Sequence, residues 1–313
     1  MAHRVFHSLR VLRSNSGPSQ MKKARILIRL GGALLSLVLA VVLPGAGRAE
    51  PQRIVSINVC TDQLLLLLAS PEKIASLSFL ATDKDTSAMV ETAAGFPINH
   101  GLAEEILRIE PDLVLAWEYT ARSTVSILRK LDYPVVELPA ATSLDDIRAN
   151  IRTVAKAVGE IERGEALVAA FDKRLPPIGS APPDTFSPVA ALYWANGYSS
   201  GDDTLAGAVV KAAGFRNLAG ELGIRGTAQI PLETLIASNP DIIITDDIHQ
   251  TPALATEVFR HPALQAIFKD HRRVHIPSPL WACGTPVIAD IIAELYAVRM
   301  EFSRLAHKDL GKP

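Results

Sequence analysis

Glu104-Glu105-Ile106-Leu107-Arg108-Ile109-Glu110-Pro111-Asp112-Leu113-Val114-Leu115-Ala116 decides the reading of this chain, because it returns as Glu233-Thr234-Leu235-Ile236-Ala237-Ser238-Asn239-Pro240-Asp241-Ile242-Ile243-Ile244-Thr245. In both copies Pro stands seven residues after Glu, an Asp follows the Pro, and an aliphatic run follows the Asp. Each copy reads as a short amphipathic helix stopped by Pro. It feeds a strand whose continuous apolar run suits the inside of a parallel sheet. One copy in each half of the chain implies two similar α/β lobes.

Around the first copy, strands are predicted over 54–58, 74–77, 113–116 and 134–138, with helices through 64–68 and over 120–131. Strand alternating with helix gives a small parallel sheet covered on both faces. Ser143 then offers an N-cap, Asp145 and Asp146 fill a first turn, and Ile147, Ile151, Val154 and Val158 recur at helical spacing. Gly159 interrupts before a second, longer helix bearing Leu167, Val168, Phe171 and Leu175, and residues 176–188 form an exposed, turn-rich stretch. The second half adds strands over 189–193 and 273–276, a helix over 203–213, the repeat over 231–245, and a last helix with Pro286 in its first turn.

The expected fold is therefore α/β: two Rossmann-like lobes with parallel central sheets, joined by a long rigid helix, with a ligand cleft between them. The divisions fall at a leader over 1–49, an N-terminal lobe over 50–142, a helical segment with the inter-lobe backbone helix over 143–176, and a C-terminal lobe over 177–313.

The leader carries an export signal. After Met21 come Lys22, Lys23, Arg25 and Arg29, the apolar run 30–43, Pro44, and small residues at Gly47 and Ala49. This is a signal peptide cut between Ala49 and Glu50, too short in its apolar run for the roughly 20 residues of a membrane span. Residues 1–20 add nothing that such a signal needs, which makes Met21 the expected start. No Cys stands near the cut, which argues against a lipid anchor and for a soluble periplasmic protein. The net charge of -1 and the lack of a basic stripe speak against nucleic acid or an anionic bilayer as partner.

The order of these features resembles the helical-backbone, cluster A-I substrate-binding proteins of ABC importers, the group that serves ferric siderophores, haem and vitamin B12. The residues that carry the likeness are Arg53-Ile54-Val55-Ser56, the stretch 101–116, the helix around 160–175, Leu205 to Asn217, the second repeat, and the loop with Trp281. The resemblance implies a monomeric binding protein that delivers a ligand to an inner-membrane permease dimer with its cytoplasmic ATPase. It also implies docking through one carboxylate on each lobe, which selects Glu104 and Glu233, with Glu105 as the neighbouring ambiguity. Two equivalent charges on two lobe tips fix position against a symmetric partner.

In parallel α/β lobes the ligand-facing loops leave the C-terminal ends of the strands. Here those loops hold Asn58, Cys60, Trp117, Tyr119, Trp194, Tyr198, Asp246, His249 and Trp281, and all three Trp of the chain are among them. An aromatic slot suits a large, flat or partly apolar ligand, though any of these rings could instead close a lobe core. Arg225 could pair with a carboxylate-type iron chelate, and a ferric siderophore is therefore the first expectation, with cobalamin or haem as the alternative. Haem would take an axial donor from Tyr119, Tyr198 or His249. No close-spaced His, Asp and Glu set is present, so neither a resident metal nor a cofactor is expected.

No Gly-x-Ser-x-Gly elbow, Walker A sequence or dinucleotide fingerprint is present, and no enzymatic activity is expected. Cys60 and Cys283 are the two cysteines of the chain. Either they pair across the cleft, which needs Cα atoms about 4.4–6.8 Å apart, or they pack separately under their loops. The separate reading is preferred, because the cleft could equally hold the thiols too far apart.

Overall fold

The structure, a computed structural model, describes residues 50–177, 187–246, 254–267 and 272–310. The expected leader, residues 1–49, lies outside them, as does His249. The strands are β1 (Ile54–Ser56), β2 (Ile74–Ser78), β3 (Ile98–Asn99), β4 (Leu113–Trp117), β5 (Val135–Leu138), β6 (Val189–Leu192), β7 (Tyr198–Ser200), β8 (Arg216–Asn217), β9 (Thr227–Gln229), β10 (Ile242–Thr245) and β11 (Arg273–His275). The principal helices are α1 (Val59–Leu68), α2 (Ala103–Ile109), α3 (Arg122–Lys130), α4 (Leu144–Val158), α5 (Ile161–Arg174), α6 (Leu205–Ala212), α7 (Leu232–Ser238) and α8 (Ile288–Leu310).

Two parallel sheets result, in the orders β3-β2-β1-β4-β5 and β11-β10-β6-β8. Taking β1 with β6 and β4 with β10, the order β2-β1-β4-β5 of the first sheet returns as β8-β6-β10-β11 in the second. An antiparallel ribbon of β7 and β9 is added in the second half.

The repeat explains itself at atomic level. In both copies the helix ends on a left-handed residue, Glu110 (φ 50°) and Asn239 (φ 41°), before a buried Pro. The next Asp clamps the central strand to its neighbour. Asp112 accepts the backbone N–H groups of Gln52 (2.6 Å) and Arg53 (2.9 Å), while its own N–H donates to the Arg53 carbonyl (3.1 Å). Asp241 accepts the N–H of Val189 (2.7 Å) and donates its own to the Val189 carbonyl (2.9 Å). Each carboxylate so pins β4 to the start of β1, and β10 to the start of β6.

Side chains alternate across both sheets with the period of two that strands impose. Ile54, Leu113 and Leu115 from the first sheet and Ala190, Leu192, Ile242 and Ile244 from the second enter one shared apolar core with α1, α4, α5, α6 and α8. The opposite faces pack separately: Val55, Val114 and Ala116 against Ile106 and Leu128, and Ala191, Tyr193 and Ile243 against Leu235 and Phe259.

The connection between the sheets is a helical hairpin. Ser143 and Asp146 form a reciprocal capping box at the start of α4, and Ile147, Ile151, Val154 and Val158 are fully buried as their spacing predicts. Gly159 (φ 83°) ends it, and α5 returns antiparallel, with Arg152 bidentate to Glu165 and Arg148 paired to Asp172. The second helix has 14 residues against 15 in the first, where the sequence suggests the longer. The residues after Gly159 pack back along α4 instead of extending past it. Arg174 at the end of α5 then bonds Asp290 (3.0 Å) and the Pro286 carbonyl (2.6 Å), and α8 starts two residues after Pro286.

Gly164 is where the hairpin closes: a Cβ on it would lie 2.3 Å from the Ala155 Cβ. Alanine in a helix interior normally gains about 1 kcal/mol over glycine, but overpacking costs about 1–3 kcal/mol. Crowding should win here, so Gly164→Ala lowers the urea midpoint; an unchanged or raised midpoint would show that the hairpin has room to spare.

Asp62 in α1 is fully buried and accepts bonds from the Ser78 N–H (3.0 Å) and hydroxyl (2.5 Å), tying α1 to the end of β2. Loss of water pushes its carboxyl up to about 6, with bonds from Ser56 and Ser78 partly opposing the rise. Because the folded value is raised, the group's contribution is fully present below about pH 4 and is lost as pH rises through 6. The stability of the parent relative to Asp62→Asn should fall by on the order of 3 kcal/mol between pH 4 and pH 7. Urea titrations of both proteins across that range measure it, and a difference independent of pH would contradict the burial argument.

Candidate functional site

A cavity of about 110 Å³ lies where the two lobes meet, beside the C-terminal ends of β4 and β5. Trp117, the last residue of β4, lines it, as does Trp281, the last residue of the short helix Ser278–Trp281. The Trp281 indole N–H donates to the Ile276 carbonyl (3.1 Å), so its polar edge is satisfied and its ring is oriented. Tyr119 meets Trp117 edge-on, with ring centroids 5.2 Å apart, and is 67% exposed. Leu138, Ala141 and Leu205 add apolar surface, while Asn150 supplies a side-chain amide whose N–H donates to the Pro139 carbonyl (3.0 Å). No charged side chain is among the described residues lining the cavity.

Cys60 also lines this floor. The sequence favoured unpaired thiols, but the structure joins Cys60 to Cys283 in a disulfide, with Cα atoms 5.1 Å apart. The shared core draws the start of α1 and the loop before α8 within bonding distance. The juxtaposition of Cys60 with Asp62 makes no nucleophile and base: the sulfur is bonded, and the carboxylate turns to Ser78.

Asn58 caps α1, accepting the Cys60 N–H (2.8 Å) and donating to the Thr120 hydroxyl (2.9 Å), and so ties the loop after β4 to the helix after β1. Asp246 accepts the Ser278 hydroxyl (3.0 Å), fixing the short helix that bears Trp281. Both are positioning groups in this arrangement. Trp194 is half-buried against the shared core, and Tyr198 is exposed on β7; neither lines the cavity. Arg225 stands in a separate open hollow with Asp202 and Asp203. Among the described residues, no three His, Cys, Asp or Glu side chains gather as a metal site.

Asn150, Leu205 and Gly284 escaped the sequence reading. Asn150 carried a usable signal, since it interrupts the buried stripe of α4 with an amide.

Glu104 and Glu233 hold the same place, the second residue of seven-residue helices, and both are exposed. Glu105 is engaged within its own lobe: it accepts the His100 N–H (2.6 Å) and contacts the His100 ring (3.1 Å). These bonds hold its carboxyl below the usual range. That separates it from Glu104.

A sequence profile described as periplasmic binding protein matches residues 54–280. A cobalamin-binding protein of Halobacterium salinarum is 28% identical over 200 residues, which cover 63% of this chain and 54% of that protein. The chain thus spans about half the length of this relative. The fold matches the periplasmic haem-binding protein RhuT from Roseiflexus sp. RS-1, with a TM-score of 0.68 at 23% identity over 80% of this chain and 99% of that one. It also matches the periplasmic vitamin B12 binding protein BtuF of Vibrio cholerae, with a TM-score of 0.62 at 16% identity over 82% and 98%. With two parallel sheets, a helical connection and a cavity where the lobes meet, the chain belongs to the periplasmic binding protein family.

Proposed function

We propose that this protein is the periplasmic solute-binding component of an ABC importer and that it captures a corrinoid of the cobalamin type for an inner-membrane permease. The observation that carries the reading is that Trp117 and Trp281 line one cavity to which no described residue brings a charged side chain. Its volume is well under the roughly 300–1,000 Å³ of small-molecule sites, so it receives an edge of the ligand while the bulk rests outside it. A corrin ring offers broad apolar faces and a rim of neutral amides. Such a ligand needs no buried counter-charge, and burying an unpaired charge there would be costly. The cobalamin-binding relative in Halobacterium salinarum supports the same choice.

Arg225 supplied the argument for a ferric siderophore, and its position beside Asp202 and Asp203 leaves the floor without that charged partner. Haem is the second reading. It is favoured by Tyr119, an exposed phenol beside Trp117 that could ligate iron.

Calorimetric titration of the mature protein with cyanocobalamin, haemin and a ferric hydroxamate distinguishes the three. Cyanocobalamin should bind at submicromolar Kd, and Trp117→Ala or Trp281→Ala should each weaken it by about tenfold or more. Saturable binding of haemin alone, lost in Tyr119→Phe, would transfer the assignment to haem.

Docking is assigned to Glu104 and Glu233, whose matched exposure on repeated helices suits a two-fold partner. The double variant Glu104→Ala/Glu233→Ala should keep its ligand affinity within about threefold while uptake by reconstituted permease falls by about tenfold or more. Loss of ligand binding with normal uptake coupling would reverse the roles of tips and cleft.

A further inference from the structure

The bond between Cys60 and Cys283 borders the cavity, which is lined by Cys60 and by the two neighbours of Cys283, Ala282 and Gly284. Cys60 is the second residue of α1, in the first lobe; Cys283 follows the short helix that carries Trp281 and is fully buried, 223 residues later in the chain. Buried polar contacts mark the same junction. The Gln63 side chain donates to the Cys283 sulfur (3.8 Å) and accepts from the Thr285 hydroxyl (3.4 Å). Gly284 presses so close to Ala141 that a Cβ would come within 2.5 Å of the Ala141 Cβ. The rest of the segment is held by its own lobe, through Ser278 to Asp246 and Trp281 to Ile276.

We propose that this disulfide is a clasp that sets ligand affinity by fixing Trp281 at the cavity that Trp117 also lines. The inference rests on the cavity being the ligand site. Long polar contacts to sulfur and to one amide are weak, whereas a covalent link removes the freedom of the wall before ligand arrives. A pre-ordered floor binds more tightly because the cost of ordering it is not charged to binding. With the clasp open, the segment bearing Trp281 loses its covalent tie to α1, and affinity falls.

Formation of the clasp is a thiol–disulfide exchange with a disulfide-bearing oxidant. The Cys60 thiolate attacks one oxidant sulfur and releases the other as a thiolate. The Cys283 thiolate then attacks Cys60 in the mixed disulfide and releases the second. Two electrons and two protons leave the cysteines, and the oxidant becomes a dithiol.

The test compares the oxidised mature protein with Cys60→Ser/Cys283→Ser, and with Cys60→Ala/Cys283→Ala in case the first variant fails to fold. Two readouts are taken, hydrogen exchange of segments 59–63 and 278–285 without ligand, and calorimetric affinity for cyanocobalamin. Faster exchange in both segments with affinity weakened about tenfold or more supports the clasp. Unchanged exchange overturns it, and so does unchanged affinity. If the oxidised protein itself binds no cyanocobalamin, the corrinoid reading fails, and the clasp is decided on exchange and on affinity for haemin.

Discussion

Both sheets bury one face in the same apolar core, and the rest of the structure depends on that sharing. Each of its buried Val, Leu, Ile and Phe side chains gains about 1.5–3 kcal/mol from leaving water, so separating the lobes would expose a core and not a wet interface. The helical hairpin reinforces the union, since α4 and α5 both pack into this core and Arg174 links the far end of α5 to α8. A cleft at the strand ends is then a shallow feature on a fixed body. The small volume between Trp117 and Trp281 follows from it.

Much of this was legible in the sequence, because the strands obey the period of two and the repeat marks equivalent places. The runs at 113–116 and 242–245 form interior strands, each with a neighbour on both sides, and α4 buries the four residues its spacing selects. What the repeat could not reveal was the work of its Asp. A residue after Pro reads as a turn former, whereas Asp112 and Asp241 each exchange bonds with the start of a strand more than fifty residues earlier. Contacts of that range leave no local pattern. The hairpin was hidden for a similar reason: the glycine that lets α5 turn back is visible, but the crossing at Gly164 depends on Ala155 facing it.

The site was legible as a set of loops and not as a set of contacts. Strand polarity points to the loops that hold Trp117, Cys60 and Trp281, and these three side chains line one cavity. Trp194, which the same reasoning put in a ligand-facing loop, packs against the shared core, and Arg225 stands in a separate hollow with Asp202 and Asp203. Asp246 looked like a ligand group and serves to hold the Trp281 helix, a use that only its partner Ser278 discloses.

A fixed body also constrains how a permease could sense occupancy. A ligand shifts a conformational equilibrium only by its differential affinity for the two states, and lobes that share a core have little second state to select. The helices bearing Glu104 and Glu233 sit on the outer faces, each packed through Ile106 or Leu235 into a core of its own. Their spacing is therefore set by folding and not by ligand. Under the docking assignment, recognition of the body and recognition of its cargo are separate events: the paired carboxylates give register with or without ligand. Discrimination between loaded and empty forms then has to arise at the mouth of the cleft, where the exposed Tyr119 ring and the ligand's own surface would face the partner.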